Sequence, residues 1–207
     1  MFSFLKDHPF AVEAFFERSL VLTFAVPKEQ LEQYIPECLQ LDTFQDRWAF
    51  IAIAMVQTKD LRLKGFPRFI GNDFFLTGYR VFVRYTNRAG KKLRGLYILK
   101  SETDKKKMEI MGNIFTHYNY TTTDILQEET GQTKTISSVK SKLSITIDKA
   151  GEGVKLPEQS PFADWNEARR FAGPLPFTFT YNVAKKEVLI IEGVREHWAP
   201  APVRVLD

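Results

Sequence analysis

Residues 74–120 constrain the possible folds of this chain more than any other stretch. Residues 74–85 are rich in aromatic and β-branched side chains, which are typical of a β-strand. Residues 87–90 (Asn-Arg-Ala-Gly) have the composition of a turn, and residues 93–99 read as a second strand. We expect a helix to begin at residues 101–104, to end near Gly112, and to be followed by a strand over residues 115–120.

The rest of the chain shows the same preference for strands. Strands are predicted by the runs 18–26, 48–56 and 134–148, and by a hairpin formed from 177–183 and 188–194. Short helices are predicted at residues 10–16, 28–35 and 162–171. Residues 57–73 are expected to form a long basic loop, either a lid over a pocket or a solvated connection. The pattern predicts a mainly β (α+β) fold with antiparallel sheets.

Length and composition narrow the classes of protein. With 207 residues, 44% of them hydrophobic, the chain is expected to be a single domain over residues 1–207. The net charge is only +4, and basic and acidic residues are mixed along the chain, so no nucleic-acid partner is expected. No run reaches the about 18 apolar residues of a membrane span, and no signal peptide is visible, which favours a cytoplasmic protein without a membrane contact.

The sequence points to no metal site and no cofactor. No spacing of histidine, cysteine and carboxylate residues resembles a metal site. No glycine-rich phosphate loop follows a strand, which argues against dinucleotide and nucleoside triphosphate binding. The single Cys38 permits no internal disulfide and suits a reducing compartment, where we expect it to be a small buried residue.

A series of short motifs resembles a known superfamily. They are Leu22 to Pro27, Leu41-Asp42-Thr43-Phe44, Tyr79 to Val83, Arg94 to Tyr97, His117-Tyr118, Arg170-Phe171 and His197 to Pro200. In this order they are similar to an uncharacterised bacterial conserved-domain family of unknown function, related to acetoacetate decarboxylase-like proteins. The resemblance covers about residues 20 to 200. It implies a two-sheet antiparallel β-barrel or cone with a few short flanking helices and an internal cavity.

The same resemblance argues against decarboxylase activity. The decarboxylases use a lysine that forms a Schiff base with a keto acid, and a depressed pKa keeps its amine free. The matching stretch here, residues 115–120, contains no lysine. The family's glutamate would fall near Leu76 and is also missing, whereas Arg80 is retained.

Arg80 and His117 are the leading candidates for ligand contacts. Arg80 lies in an apolar strand, where a buried guanidinium needs a partner such as a ligand carboxylate or Glu102. His117 falls where the resemblance places the catalytic segment, and a histidine there could contact a ligand or be a satisfied core residue. Tyr97, Tyr118 and His197 complete the predicted ligand-binding set, with tail anchoring as the alternative for His197.

Three functional hypotheses remain open at this point. The first is a cavity protein that binds a small carboxylate or carbonyl compound without a Schiff-base lysine. The second is a lyase that uses Lys100 or His117, with a surface ion pair to Glu102 as the alternative for Lys100. The third is a basic surface, made by residues 59–68 with Lys91, Lys92 and Arg94, that meets an anionic partner. A homo-oligomer formed through an edge strand is compatible with each.

Overall fold

The computed structural model describes residues 6–7, 10–149, 153–194 and 200–207. Strands dominate it, and the two α-helices are short, α1 (Lys106–Phe115) and α2 (Trp165–Ala172). The strands are β1 (Val12–Pro27), β2 (Gln40–Leu41), β3 (Trp48–Leu63), β4 (Asn72–Thr86), β5 (Lys92–Thr103), β6 (Tyr120–Thr122), β7 (Leu126–Thr130), β8 (Thr133–Ser138), β9 (Leu143–Asp148), β10 (Phe177–Asn182), β11 (Glu187–Glu192) and β12 (Arg204–Val205).

The strands form two sheets. The larger one has eight strands in the order β1-β3-β4-β5-β10-β11, with β2 paired to β4 and β6 paired to β5. The smaller one has four strands in the order β12-β9-β8-β7. Within the described residues the two sheets do not close into a barrel, so the predicted barrel or cone is replaced by two open sheets. The predicted antiparallel pairing also has exceptions, because β10 and β6 both pair with β5 in parallel.

The two faces of the large sheet have different coverings, and we name them accordingly. The helix face of β4 carries Phe74 and Phe82, because side chains alternate between faces along a strand. Phe74 packs with Met108 of α1, and Phe82 lies in the cluster that contains Phe171 of α2. On the opposite face, the far face, Val81 belongs to a cluster with the two 3-10 turns Lys28–Gln30 and Glu32–Tyr34 at its edge.

The small sheet packs against the other end of the far face. Phe75 and Met55 of the large sheet contact Ile136, Ile145 and Ile147 of β8 and β9. These five side chains are each at most 7% exposed. Apolar burial on this scale is the main stabilising contribution that holds the two sheets together.

Several sequence-based boundaries need correction. Residues 12–16 are the start of β1 and not a helix, since they pair with the end of β3 across two bulges. Residues 134–148 form two strands around a turn at residues 139–142, and not one strand. The basic loop is only residues 64–71, because β3 and β4 extend into the stretch predicted to be unstructured. Cys38 is exposed, in contrast to the predicted burial.

Two predictions about residues 74–120 also need correction. Residues 101–103 belong to β5, so α1 begins later than expected. Residues 116–119 follow α1 without strand structure, and β6 begins only at Tyr120. Within the described part of the chain, no helix is long and apolar enough to span a bilayer.

Candidate functional site

Arg80 is a cation on the helix face that has no partner among the described residues. The residue is half-buried, and its Nε is fully buried without a hydrogen-bond partner. No carboxylate of the described residues forms an ion pair with it. Burial lowers the pKa of its guanidinium, yet an arginine stays charged in proteins. An unpaired buried charge is costly, so this position favours an anion, and the described residues supply none.

Small residues make room for the Arg80 side chain on the sheet. It lies back over Gly78, where a Cβ atom would be only 3.1 Å from its Nε and 3.3 Å from its Nη2. On β3, Ala52 and Ala54 lie directly opposite Arg80 and Gly78. The sheet therefore carries small side chains at this point, which lies between the apolar cluster of α1 and the apolar cluster of α2. The sequence showed the thinning of β3 but not its position beside Arg80.

Two tyrosines, Tyr118 and Tyr120, are the polar neighbours of Arg80. Their ring centroids are 6.0 Å apart, and both phenols interact electrostatically with the guanidinium. Burial raises the pKa of Tyr118 to about 12 and raises that of Tyr120 as well, while Arg80 opposes both shifts. Both phenols are therefore neutral near pH 7 and can donate hydrogen bonds without neutralising the arginine.

The end of α1 positions the tyrosines. The Asn113 side chain accepts a hydrogen bond from the Tyr120 backbone N–H at 2.9 Å and donates one to the Tyr120 carbonyl at 2.8 Å. Gly112 lies directly against the Tyr120 ring, so α1 approaches more closely than any residue with a Cβ would allow. Tyr118 was predicted as a ligand contact from sequence, whereas Tyr120 and Gly78 were not singled out.

His117 contacts a different part of the molecule. Its Nε2 lies 3.7 Å from Oδ1 of Asp7, and Asp7 also accepts a hydrogen bond from Lys185 at 2.6 Å. Burial lowers the pKa of His117, the positive charge of Lys6 adds to this, and Asp7 opposes it. The described contacts do not bring His117 to Arg80. The predicted ligand contact His197 lies outside the described residues.

Lys100 and Glu102 lie on the far face, away from Arg80. Glu102 accepts hydrogen bonds from Lys100 Nζ at 2.8 Å and from the Tyr79 hydroxyl at 2.9 Å. The Lys100 ammonium also lies 4.2 Å from the centre of the Tyr79 ring. The predicted Lys100–Glu102 ion pair is thus present, and Glu102 does not serve as a partner for Arg80.

Tyr97 also points to the far face. It pairs with Val81 and packs at the edge of the Val81 cluster, and burial raises the pKa of its phenol. A bulge between Tyr79 and Arg80 shifts the register of β4 against β5 by one residue. Without that shift Tyr97 would lie opposite Phe82, on the face of Arg80. Of the members of the predicted set that the structure describes, it therefore brings Arg80 and Tyr118 together but not His117 or Tyr97.

A second charged cluster on the helix face is fully paired. The Asp42 carboxylate is completely buried and accepts hydrogen bonds from Arg84 Nε at 2.6 Å and from Arg94 Nε at 2.5 Å. Arg94 also donates to the Phe171 carbonyl at 2.9 Å and lies over the Phe171 ring. Arg94 was predicted as part of a basic surface for an anionic partner. Two of its donor groups, Nε and Nη2, are engaged within the protein.

Two surface pockets lie apart from Arg80. One of about 370 Å³ is lined mainly by residues 28–46, and one of about 130 Å³ lies between the start of β4 and α1. The described residues contain no group of three or more histidine, cysteine or carboxylate side chains that could hold a metal ion. The chemistry available at Arg80 is therefore that of one cation and two phenols.

Residues 14–207 match DUF2071, whose description is uncharacterized conserved protein. The chain belongs to this family. No curated protein matches the chain. These findings agree with the family resemblance drawn from the sequence motifs.

The fold is similar to that of acetoacetate decarboxylases of known structure. The acetoacetate decarboxylase from Legionella pneumophila subsp. pneumophila str. Philadelphia 1 superposes with a TM-score of 0.54 at 15% identity, over 95% of this chain and 71% of that one. A second acetoacetate decarboxylase structure gives a TM-score of 0.59 at 15% identity, over 96% of this chain and 76% of that one. At this identity the likeness concerns the fold alone.

Proposed function

We propose that this DUF2071 protein binds a small organic carboxylate at Arg80, without forming a Schiff base. The observation that carries the proposal is the buried Arg80 Nε without a hydrogen-bond partner in the described residues. A carboxylate accepts two parallel hydrogen bonds from a guanidinium, and such charge-assisted pairs are the strong ones. A ligand carboxylate would therefore satisfy the donor that has no partner among the described residues.

The neighbours of Arg80 indicate the shape of the ligand. The Arg80 side chain itself lies over Gly78, and the residues opposite on β3 are the small Ala52 and Ala54. We therefore expect a short acid to fit beside the guanidinium better than a bulky one. The neutral hydroxyls of Tyr118 and Tyr120 can donate to a second oxygen, such as a keto or hydroxyl group. We therefore favour short 2-oxo, 3-oxo or hydroxy acids as ligands.

Lys100 supports a second candidate, a lyase, less well. A Schiff-base nucleophile must be a free amine. The Lys100 Nζ is instead engaged in the ion pair with Glu102 and in the contact with the Tyr79 ring. In addition, Lys100 and Arg80 lie on opposite faces of the sheet, so one small ligand could not contact both.

Titration calorimetry with a panel of short keto and hydroxy acids tests the proposal. We expect binding of acids and none of the matching neutral amides, because the amide lacks the charge that Arg80 requires. The variant Arg80→Met should lose binding by about 10-fold or more, the equivalent of one charged hydrogen-bonded contact. Arg88→Met, which removes an arginine with a 93% exposed side chain, is the matched control and should bind normally.

Borohydride trapping of the same samples separates the two candidates. A reducible adduct at Lys100, found by intact mass and peptide mapping, would support the lyase and contradict the non-covalent proposal. Binding that survives in Arg80→Met would contradict the assignment of the site itself.

A further inference from the structure

The loop between β3 and β4 presents apolar side chains to solvent. Residues 63–70 are all exposed, with Phe69 87%, Phe66 52%, Ile70 45% and Leu63 39% exposed. We call these eight residues the apolar tip. Single exposed apolar residues are common on protein surfaces, whereas a contiguous group marks an interaction surface. Val12, which pairs with Leu63, extends the group with 41% exposure.

The apolar tip is held in a fixed conformation. Arg62 Nε donates to the Phe66 carbonyl at 2.8 Å, and the Lys64 N–H donates to the Ala11 carbonyl at 3.0 Å. The 3-10 turn Arg68–Ile70 carries Phe69 outward. Gly71 closes the base of the loop, since a Cβ there would lie 2.6 Å from the Asp60 Cα. Such preorganisation lowers the entropy that a binding partner must overcome.

Two cations flank the exposed rings. Lys64 and Arg68 are exposed, and neither forms an ion pair within the described residues. The neighbouring cations differ, because Lys59 pairs with Asp73 and Arg62 pairs with Glu13. The tip thus combines a free positive charge on each side of Phe66 with apolar side chains at its end. Its partner should be both anionic and apolar.

We propose that the apolar tip binds the surface of an anionic phospholipid bilayer. Apolar and aromatic side chains enter the boundary between headgroups and acyl chains, while lysine and arginine contact anionic headgroups. This proposal replaces the expectation of no membrane contact, which rested on the absence of a spanning segment. It does not depend on the ligand proposed for Arg80.

Other partners fit the tip less well. A two-fold contact between two copies would bring Lys64 and Arg68 of one tip close to the same cations of the other. A nucleic acid would be expected to contact a groove of cations and stacking rings, whereas Leu63 and Ile70 offer no stacking surface. A lipid surface accommodates the aliphatic side chains and the cations together.

Flotation of the full chain with vesicles tests the proposal. We expect binding to vesicles of phosphatidylcholine with phosphatidylserine, weak binding to phosphatidylcholine alone, and a decrease with added salt. Phe69→Ala should weaken partitioning by about tenfold, from the loss of one apolar side chain at the interface. Each of Lys64→Gln and Arg68→Gln should weaken it by about fivefold.

The turn between β8 and β9 provides matched controls. Val139 is 86% exposed and is followed by the exposed Lys140 and Lys142. Val139→Ala and the pair Lys140→Gln with Lys142→Gln should leave partitioning unchanged. The proposal is wrong if the chain does not float with anionic vesicles at low salt, or if the tip variants float like the wild type. A Phe69→Ala change that abolishes self-association, without any vesicle binding by the wild type, would assign the tip to a second copy and also overturn it.

Discussion

Strand β4 carries two arginines on the same face, Arg80 and Arg84. Arg84 is paired with a carboxylate, whereas Arg80 is not paired within the described residues. Arg84 donates to the buried Asp42 carboxylate, which a second arginine also contacts. Arg80 lies four positions earlier, and its buried Nε has no partner in the described residues. The fold therefore supplies a carboxylate to one arginine and neutral phenols to the other.

The comparison separates a structural charge, at Asp42, from the charge that we propose to bind a ligand, at Arg80. The Asp42 cluster joins β4, β5 and the end of α2 through hydrogen bonds that satisfy both carboxylate oxygens. Removing one partner of such a group leaves buried charge uncompensated. Arg80 has no such pairing among the described residues, so we expect it to contribute little to folding. The burial of its unpaired guanidinium costs free energy in the unliganded protein, and a bound ligand carboxylate would offset that cost.

The largest expected effect comes from Asp42→Asn. The variant keeps the size of the side chain but leaves Arg84 and Arg94 without a counter-charge. We expect the free energy of unfolding to fall by about 3 kcal/mol, at the low end of the usual range because both guanidiniums reach solvent. Urea denaturation measures the change.

The control for Asp42→Asn is Asp46→Asn. Asp46 pairs with Lys28, but its side chain is 87% exposed. Such a surface pair contributes about 0–1 kcal/mol, so the variant should unfold almost like the wild type. Equal effects of the two variants would show that the Asp42 cluster is not the structural anchor described above.

A smaller effect on stability is expected from Glu109, which links α1 to β6, the strand that begins with Tyr120. Glu109 of α1 accepts hydrogen bonds from Lys106 Nζ at 2.6 Å and from the Thr122 N–H at 2.8 Å. These contacts lower the pKa of Glu109 to about 2. Because the folded-state pKa lies below that of the unfolded chain, the contribution is complete above the ordinary glutamate value and is lost as the pH falls towards 2.

Denaturation of Glu109→Gln and the wild type across this pH range checks the assignment. The variant should be less stable at neutral pH, and the difference should shrink as the pH falls from about 4.3 towards the lowered folded-state value. Glu37→Gln, at an exposed position, should show no comparable trend. A difference between Glu109→Gln and wild type that does not change with pH would contradict the role of the carboxylate.

The core of the fold was predictable where local patterns were strong. Residues 74–85 and 93–99 lie in β4 and β5, and the hairpin of β10 and β11 also matches its prediction. The start of β1 was misread because bulges beside Phe15 and Phe16 disturb its alternation. The turn between β8 and β9 was missed because Lys142, and not glycine, takes the positive φ of 51°.

The site was predictable only in part. The sequence placed Arg80 in an apolar strand but left the direction of its side chain open, and the structure buries its Nε. The face of Tyr97 depends on the bulge beside Arg80, which has no signal in the sequence. Asp42 lies 42 and 52 residues from its two arginines, so their pairing depends on the tertiary fold. The exposure of Phe69 likewise depends on the loop conformation.

The most direct test of the account is the stability of Arg80→Met without ligand. A methionine fills similar space without a charge, so we expect the free energy of unfolding to stay the same or to rise by about 1 kcal/mol. The same variant should lose the stabilisation that a bound short acid gives the wild type. A loss of about 3 kcal/mol or more, as expected for Asp42→Asn, would show instead that Arg80 is a structural charge and would contradict the proposed carboxylate site.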